Sequence, residues 1–481
     1  MTSALENWLG RAAEVALTTF VLVGFAALVV FLGHGEVSTF VLPAAIALAI
    51  GLQWWRRAKA PAPTPTPTPM AGDSLWLLAA ATLLVGVAVL LTWGALATAS
   101  RTWDGAAMWD PKSALLAARM TLEQTAFRDA GVYLHSRDYP LLQPVLVAAI
   151  ERLAGCGRVL FPLVFVVHCT LLFTVLRRVG AGVRAAAIAA VGFALTPMVL
   201  SPGGGGVDSG YAEALLSLAV TASVSGLVLK DRLLVVVGIA LLTWTKPEGG
   251  LYASVVVMLA WLGRERRVVL SATAGWAIAM TLWLVLQRDL QSLGRGSFAW
   301  SIPLVVAMVG VAVVVSHRLL ASRRAKGITL VAVVVVAAVG VPFLLQHFEV
   351  GGGVFAGYLQ SPARLLERLT LAPQILGGVA NWAWLRGRFG IAFVLVVVVA
   401  VCARNGLTRE PLRWLACMVV VVALPFLLAP FDDLASHMRA TMPRLLCHHL
   451  GVAWLVVGLA WVGVPAARAP RAAPAVAAPS P

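Results

Sequence analysis

Charged residues are scarce in this chain, which excludes most classes of soluble protein at once. Only 12% of its 481 residues are charged and 60% are hydrophobic, whereas roughly 25% are charged in an average soluble domain. Apolar runs of about 20 residues, the length that crosses a bilayer as a helix, recur along the chain. The composition therefore predicts an all-α, polytopic transmembrane helical bundle with about 12–14 spans.

Common catalytic and binding signatures are missing too. The chain contains no P-loop, no Gly-rich dinucleotide fingerprint, no metalloprotease helix and no deaminase pattern, so nucleotide-driven chemistry at a soluble site is not expected. The five cysteines, at positions 156, 169, 402, 417 and 447, lack metal or redox spacing. The first residues lack the pattern of a cleaved signal peptide, so the first apolar run is expected to remain as a span.

The net charge of +16 has a simple explanation in cytoplasmic loops rich in Arg and Lys. Anionic lipid headgroups or a phosphate-bearing substrate are the functional alternative. The arginines are scattered between apolar runs and are not gathered on a soluble module. Nucleic acid is therefore not a predicted partner.

The placement of the short apolar run Leu141–Leu153, which carries Pro144, decides the predicted topology. If it does not cross, and if the amino terminus is cytoplasmic, the basic clusters around Arg56, Arg177 and Arg264 all face the cytoplasm, as the positive-inside rule favours. We therefore interpret this run as an interfacial or re-entrant helix. Both termini are then cytoplasmic, and the longest polar loops face the extracytoplasmic space.

The predicted organisation has four parts. They are an accessory transmembrane hairpin (1–55), a Pro/Thr-rich cytoplasmic linker (56–73), a transmembrane body (74–465) and a disordered tail (466–481). Alternating prolines in the linker favour extended polyproline II conformation. The external loops of the body are predicted at residues 99–158, 201–210, 246–249, 288–301, 346–390 and 429–445.

The longest early polar stretch runs from Trp103 to Pro144 and concentrates ionisable groups next to an apolar run. Such groups at a membrane boundary indicate a functional site. Asp104 directly follows the apolar run and has no evident structural role, so it is the strongest candidate carboxylate. Asp138 and Tyr139 precede a sharp turn at Pro140, where Tyr139 either lines a site or anchors the chain at the interface.

The same stretch predicts amphipathic surface helices in the first external loop. Asp110 followed by Pro111 is a typical helix start, with the aspartate as N-cap. A helix from Lys112 to Glu123 would place Lys112, Arg119 and Glu123 in one stripe. Such a helix is expected to lie along the membrane surface.

Two later segments carry further acids, and the second also carries a lysine. Glu213 follows a loop of four glycines. Lys246 and Glu248 lie between two short apolar runs, where charged side chains are costly. They either neutralise each other or bind a ligand, with Lys246 contacting a phosphate.

The last candidates are His437, Arg439 and Arg444, which lie in the final predicted external loop. Guanidinium groups suit bidentate binding of phosphate, so a phosphate or diphosphate contact is a reasonable prediction. A lone histidine is more often structural, and His437 is a candidate only because Arg439 and Arg444 lie close to it in the sequence.

Five pieces of the chain follow one another in the order WDGAAMW, RDYPLLQP, GYAEALL, WTKPEGG and DLASHMRATMPRLL. Together they resemble the GT-C superfamily of integral-membrane glycosyltransferases. The layout is most similar to the bacterial glycosyltransferase family 39-like branch, which is related to protein O-mannosyltransferases and aminoarabinose transferases. The family's aspartate in the first external loop falls on Asp104. Members often have Asp-Glu there, where this chain has Asp-Gly, and GYAD where this chain has Glu213.

The resemblance implies transfer of a sugar from a polyprenyl-phosphate donor to a lipid, glycan or protein acceptor, at the extracytoplasmic face of the inner membrane. Asp104 would be the general base, and attack would invert the anomeric carbon. Donor or substrate contacts are implied for Lys246, Glu248, Tyr139, Asp138, Glu213, His437, Arg439 and Arg444. Relatives differ in their use of a divalent cation (Mg or Mn), so that question stays open.

Two other functions remain as alternatives. A lipid-linked glycan flippase or transporter would need polar residues through the bilayer, whereas the charges here are predicted to cluster outside. A non-catalytic membrane protein of envelope assembly predicts that Asp104→Asn is silent.

Overall fold

The computed structural model describes residues 2–58, 72–97, 102–129, 132, 134–137, 139–201, 206–263, 265–291, 301–319, 367, 369–402, 405–428 and 433–462. These residues form helices and turns, with no strand among them, so the predicted all-α class is confirmed for this part of the chain. Several predicted features lie outside it. They are Asp138, linker residues 59–71, loop residues 202–205, 292–300, 346–366 and 429–432, the apolar run 328–345, which is long enough to be counted among the predicted spans, and the tail 466–481.

The described helices up to residue 229 are numbered α1 to α10. They are α1 (Thr2–Leu32), α2 (Val41–Ala58), α3 (Asp73–Ala97), α4 (Asp110–Ala118), α5 (Thr125–Arg128), α6 (Leu142–Ala154), α7 (Leu160–Arg178), α8 (Val183–Leu195), α9 (Pro197–Leu200) and α10 (Glu213–Leu229). A short π-helical turn, Gly105–Trp109, leads into α4.

The later described helices continue the numbering. They are α11 (Arg232–Thr245), α12 (Pro247–Leu262), α13 (Arg266–Gln291), α14 (Ser301–Leu319), α15 (Ala372–Ala380), α16 (Ala392–Cys402), α17 (Arg409–Leu428), α18 (Leu434–Cys447) and α19 (Leu450–Ala460). A second π-helical turn, Asn381–Leu385, follows α15.

Four described helices are long and apolar enough to cross a membrane: Leu5–Leu32, Asp73–Ala97, Gly157–Arg178 and Arg266–Leu290. A fifth is added if α18 and α19, which meet at a bend of 45°, count as one broken span. Seven more apolar helices have 10–17 residues, and short spans are accommodated by local thinning of the bilayer or by burial in a bundle. The count of about 12–14 spans stays a prediction.

The helix α10 lies at the centre of the bundle. Every side chain from Glu213 to Leu227 is buried, which fits its nearly uninterrupted apolar and small-residue sequence. Its neighbour α11 approaches closely at Gly238, where a Cβ atom would lie only 2.3 Å from the Ser223 hydroxyl oxygen. Small residues at such crossings let two helix backbones pack tightly inside a membrane.

The N-terminal hairpin α1–α2, predicted as an accessory unit, is packed into the bundle. Leu17 and Val23 of α1 are fully buried in the main hydrophobic core. Near its start, Glu6 accepts a hydrogen bond of 3.1 Å from Nε of Arg177 at the end of α7. The hairpin therefore contributes to the same core as the body.

Ion pairs identify which helix ends meet. At one end, named the arginine-rich end, the pairs are Arg177–Glu6, Arg56–Asp231 and Arg184–Asp73. At the opposite end, named the loop end, the pairs are Arg128–Asp289 and Arg119–Glu36. Consequently α1, α3, α8 and α11 begin at the arginine-rich end, and α2 and α7 finish there.

The predicted surface helix Lys112–Glu123 is wrong in its length and in its exposed stripe. The helix α4 ends at Ala118, because Arg119 has an extended backbone with φ −149°. Lys112 is fully buried, donates to the carbonyl of Ser136 and lies 5.5 Å from the ring centre of Trp109. Lys112 was expected to face water, but its side chain is buried against an aromatic ring and a backbone carbonyl.

Asp110 does not cap α4 as predicted. The π-helical turn continues directly into α4, so the preceding residue Trp109 occupies the cap position without a side-chain bond. The Asp110 carboxylate instead lies 3.5 Å from the guanidinium of Arg158. Asp110 therefore forms an ion pair and does not cap the helix.

The helix α6, from the run whose crossing was in question, has both ends at the loop end. Near its start, Gln143 donates a hydrogen bond of 2.9 Å to the carbonyl of Gly210, just before α10. Near its finish, Arg152 lies 3.8 Å from Glu36, in the connection after α1. Both ends of α6 therefore lie at the same end of the bundle, and its interfacial or re-entrant placement stays a prediction.

Candidate functional site

Five ionisable side chains from distant parts of the chain meet at the loop end, and we name them the ionic cluster. Arg444 bridges two carboxylates, with its Nη1 2.7 Å from Asp104 Oδ2 and its Nη2 2.7 Å from Glu213 Oε1. Lys246 Nζ lies 3.0 Å from the same Glu213 oxygen and 3.6 Å from Glu248 Oε1. All five residues are candidates predicted from the sequence.

Asp104 is held in place by the backbone around it. Its side chain makes no capping bond to the π-helical turn that follows, so the carboxylate is available to other partners. The neighbouring Thr102 donates a hydrogen bond of 2.6 Å to the carbonyl of Ser209 and accepts one of 3.2 Å from the Gly105 amide. The bond to Ser209 fixes the segment around Asp104 to the loop before α10.

Lys246 and Glu248 are positioned by the tight connection between α11 and α12. Pro247 occupies the first turn of α12, where its missing amide hydrogen is not needed. At Gly249 a Cβ atom would lie 1.8 Å from the carbonyl oxygen of Leu242. Only glycine fits this contact, which brings both charged side chains towards the start of α10.

Arg444 is placed by the broken helix α18–α19. Pro443 lies inside α18, and the bend to α19 follows at residues 448–449. The guanidinium lies 4.4 Å from the ring centre of Tyr211, on which it stacks, while it holds two carboxylates. A planar fork with several donors suits this shared geometry better than a lysine would.

The side chains of the ionic cluster range from fully buried to partly exposed. Glu213 is 0% exposed, whereas the Asp104 and Glu248 side chains are 16% and 33% exposed. The three acids and two bases give a formal charge of −1 for the cluster. Glu213 Oε2 and Glu248 Oε2 are buried and have no hydrogen-bond partner among the described residues. Buried polar atoms of this kind are expected to receive a partner, such as a ligand.

The electrostatics keep Lys246 charged. Burial lowers the pKa of Lys246, but the negative charges of Glu213 and Glu248 raise it by more, so the net pKa lies above its ordinary value. Burial and the charge of Asp104 raise the pKa of Tyr211, so its hydroxyl stays protonated. The site therefore offers a fixed ammonium, a guanidinium and a phenol donor beside the Asp104 carboxylate.

Tyr139 lies beside the ionic cluster without joining it. It is half-buried and packs in a small group with Met108, Trp109, Tyr211 and Ala212. Because Tyr211 carries the Arg444 guanidinium on its ring, Tyr139 supports the wall of the site. Its aromatic ring lies 6.3 Å from that of Trp109.

Two predicted residues of α18 are not brought into the ionic cluster. Arg439 is exposed, and its position five residues before Arg444 places it on another face of the helix. His437 packs against Phe426, with 5.0 Å between ring centres, about 10 Å along the helix from Arg444. Asp138, another predicted contact, lies outside the described residues.

Sequence reasoning missed two buried residues beneath the cluster. Tyr252 donates to, or accepts from, His448 Nδ1 at 3.0 Å, and both side chains are buried. Tyr252 follows Glu248 by four residues and His448 follows Arg444 by four. The i, i+4 spacing of helix neighbours is the signal that could have found them.

No group of three or more His, Cys, Asp or Glu side chains in the described part of the chain is arranged to hold a metal ion. The three carboxylates of the ionic cluster are already in contact with Lys246 or Arg444. No step is assigned to a metal.

The ionic cluster combines a partly exposed carboxylate with two cations, which is suitable for proton transfer beside a bound anion. Comparison of the chain with models of protein families, with curated proteins and with solved structures finds no match. The chemistry of the ionic cluster is therefore the main basis for a functional proposal.

Proposed function

We propose that the protein is a membrane glycosyltransferase of GT-C-like architecture that moves a sugar from a polyprenyl-phosphate donor to an acceptor hydroxyl. The observation that carries the proposal is the contact of 2.7 Å between Asp104 and Arg444. It places a carboxylate able to accept a proton next to a cation able to bind a phosphate. The resemblance of five ordered motifs to the GT-C superfamily supports the same reaction.

Arg444 and Lys246 would hold the lipid phosphate of the donor. Both are fixed by Glu213, which is fully buried, so they need little reorganisation when an anion arrives. A phosphate offers Arg444 a strong bidentate partner in competition with Asp104. Binding of the donor would thereby loosen the Asp104–Arg444 pair and free the carboxylate for the acceptor.

Asp104 then acts as general base. It accepts the proton of the acceptor hydroxyl while that oxygen bonds to the anomeric carbon of the sugar. The bond from the anomeric carbon to the phosphate oxygen breaks, and its electron pair leaves with the polyprenyl phosphate. Attack from the opposite face inverts the anomeric centre, and the two cations stabilise the charge that develops on the leaving phosphate.

Glu248 is assigned a contact with a sugar hydroxyl. Its Oε2 atom has no hydrogen-bond partner among the described residues, and the side chain is 33% exposed. A carboxylate oxygen with free lone pairs accepts hydrogen bonds from such hydroxyl groups. The proposal gives no direct role to His437 or Arg439, which lie away from the ionic cluster.

The proposed location is the inner membrane, with the loop end outside and the arginine-rich end in the cytoplasm. Exposed Arg232, Arg266 and Arg267 lie at the starts of α11 and α13, at the arginine-rich end. The positive-inside rule then assigns that end to the cytoplasm. A donor at the loop end would have to be lipid-borne, because nucleotide sugars are cytoplasmic.

The proposal is tested with purified protein in detergent and a labelled polyprenyl-phosphate sugar. We expect label to move to an acceptor, with release of polyprenyl phosphate, and no transfer from the matching nucleotide sugar. A flippase makes no covalent product in detergent, so the same assay separates it from an enzyme. Absence of transfer from every polyprenyl-phosphate sugar supplied, in the presence of membrane acceptors, would contradict the proposed class.

A further inference from the structure

A second cationic feature lies at the loop end, on the turn between α15 and α16. We name residues 382–391, with the sequence WAWLRGRFGI, the Trp–Arg turn. The guanidinium carbons of Arg386 and Arg388 lie 5.0 Å and 5.5 Å from the ring centre of Trp382. The indole face attracts both cations and keeps them near each other.

The Trp–Arg turn is anchored to the bundle and has a defined backbone. Gly387 and Gly390 have left-handed φ values of 68° and 54°, which favour glycine. Between them, Phe389 is buried and packs against Phe393 with 5.3 Å between ring centres. The Arg388 carbonyl accepts a hydrogen bond of 2.8 Å from the amide of Met198, just beyond α8. Since α8 finishes at the loop end, the turn lies there too.

The two arginines of this turn differ from those that hold the helices together. Arg56, Arg128 and Arg177 are each paired with a carboxylate. Arg386 and Arg388 are exposed and form no ion pair with any carboxylate of the described segments. Two like charges gathered on one ring repel each other, so an anion that contacts both is favoured.

The surroundings of the Trp–Arg turn indicate what kind of anion fits. Trp384, Leu385 and Ile391 are 48%, 79% and 61% exposed, so a broad apolar surface adjoins the two cations. Tryptophan beside exposed aliphatic residues is typical of a position at the membrane–water interface, with arginine at the level of lipid phosphates. No free soluble anion would contact that apolar surface.

We propose that the Trp–Arg turn binds the phosphate of an anionic phospholipid in the leaflet at the loop end. Arg386 and Arg388 contact the phosphodiester and the headgroup, while Trp384, Leu385 and Ile391 contact the acyl chains. A phospholipid is preferred over the polyprenyl-phosphate donor because the phosphate of that donor already has two cations, Lys246 and Arg444, in the ionic cluster. The inference requires the membrane location but not the transfer reaction.

Purified full-length protein in a neutral detergent is titrated with phosphatidylglycerol, phosphatidylcholine or polyprenyl phosphate, and bound lipid is counted by native mass spectrometry. The double variant Arg386→Gln/Arg388→Gln is compared with Arg266→Gln/Arg267→Gln, which removes the same charge from exposed arginines at the arginine-rich end. We expect the first variant to lose phosphatidylglycerol affinity by about tenfold. The phosphatidylglycerol affinity of the control is expected to change by less than about twofold. Neither variant is expected to change the binding of phosphatidylcholine.

Three outcomes would overturn the inference. They are unchanged phosphatidylglycerol binding in the Arg386→Gln/Arg388→Gln protein, an equal loss in the control, or a loss confined to polyprenyl phosphate. The melting temperature of each variant is measured in parallel, and Arg386→Lys/Arg388→Lys tests whether charge alone restores binding. Since both arginines are exposed, we expect all variants to fold.

Discussion

Glu213 holds the ionic cluster together at the scale of single residues. One of its oxygens accepts from both Lys246 and Arg444, and the side chain has no contact with solvent. Two cations that lose this carboxylate would be left close together in a buried environment. Breaking a buried pair by removing one partner is much more costly than the net contribution of the pair.

We therefore expect Glu213→Gln to lower the free energy of unfolding by about 3–5 kcal/mol. The matched control is Glu410→Gln, because Glu410 pairs with Arg413 near the surface of α17 and should cost less than about 1 kcal/mol. Thermal unfolding in detergent measures both. Equal melting temperatures for the two variants would contradict the central position of Glu213.

Much of the ionic cluster could be anticipated from the sequence, because charged side chains next to apolar runs are costly and need a reason. Asp104, Lys246 and Glu248 were recognisable on that ground. The buried state of Lys112 was not, since it depends on Trp109 and on the Ser136 carbonyl, which the folded chain brings to it. Helix periodicity alone predicts a stripe of residues and not the environment that stripe meets.

At the scale of secondary-structure elements, the packing of α10 against α11 determines the geometry of the ionic cluster. These two helices carry Glu213 and lead into Lys246, so their separation sets the distance between the two charges. Gly238 permits the close approach, because a Cβ atom there would lie 2.3 Å from Ser223 Oγ and 2.8 Å from Ser223 Cα. A larger residue must push the helices apart.

Gly238→Ala is expected to destabilise the protein by about 1–3 kcal/mol through overpacking. Gly86→Ala is the control, since Gly86 lies in α3 with no atom near its Cβ position. Alanine there should leave stability unchanged or raise it by up to about 1 kcal/mol, because alanine favours helix. Unfolding temperatures compare the two, and a stable Gly238→Ala protein would count against the tight crossing.

Helices such as α7 and α10 to α13 could be predicted from their apolar runs, and the short turn at Lys246 from its proline and glycines. The early end of α4 and the bend between α18 and α19 could not. The bend lies between Cys447 and Leu450, beyond Pro443, and α18 continues through that proline. A proline disturbs the turn that precedes it, so Pro443 does not predict a bend at this position.

The whole molecule has two chemically different ends. The arginine-rich end ties the hairpin α1–α2 to α7 and α11 through Glu6–Arg177 and Arg56–Asp231. The loop end carries the helix α4, the ionic cluster and the Trp–Arg turn. Composition predicted a helical membrane protein, but it could not predict that the hairpin shares the core, because apolar runs do not specify which faces they pack against.

The proposed orientation predicts which end faces outside. In a variant whose five cysteines are replaced by alanine, a single cysteine is introduced by Arg119→Cys at the loop end or by Arg267→Cys at the arginine-rich end. A membrane-impermeant thiol reagent should label the first in right-side-out vesicles and the second only after permeabilisation. Both parent arginines are exposed, so access is not limited by burial. The reverse labelling pattern would place the ionic cluster in the cytoplasm.

The central claim, that Asp104 is the general base of a sugar transfer, is tested most directly by the turnover of Asp104→Asn beside Asp110→Asn. Both variants remove one negative charge from the same segment, where Asp110 pairs only loosely with Arg158 at 3.5 Å. With a labelled polyprenyl-phosphate sugar, the turnover of the Asp104→Asn protein should be lower by about 10²-fold or more, whereas the Asp110→Asn protein should keep most of its turnover. Transfer by a folded Asp104→Asn protein at the rate of the unsubstituted protein would contradict the account.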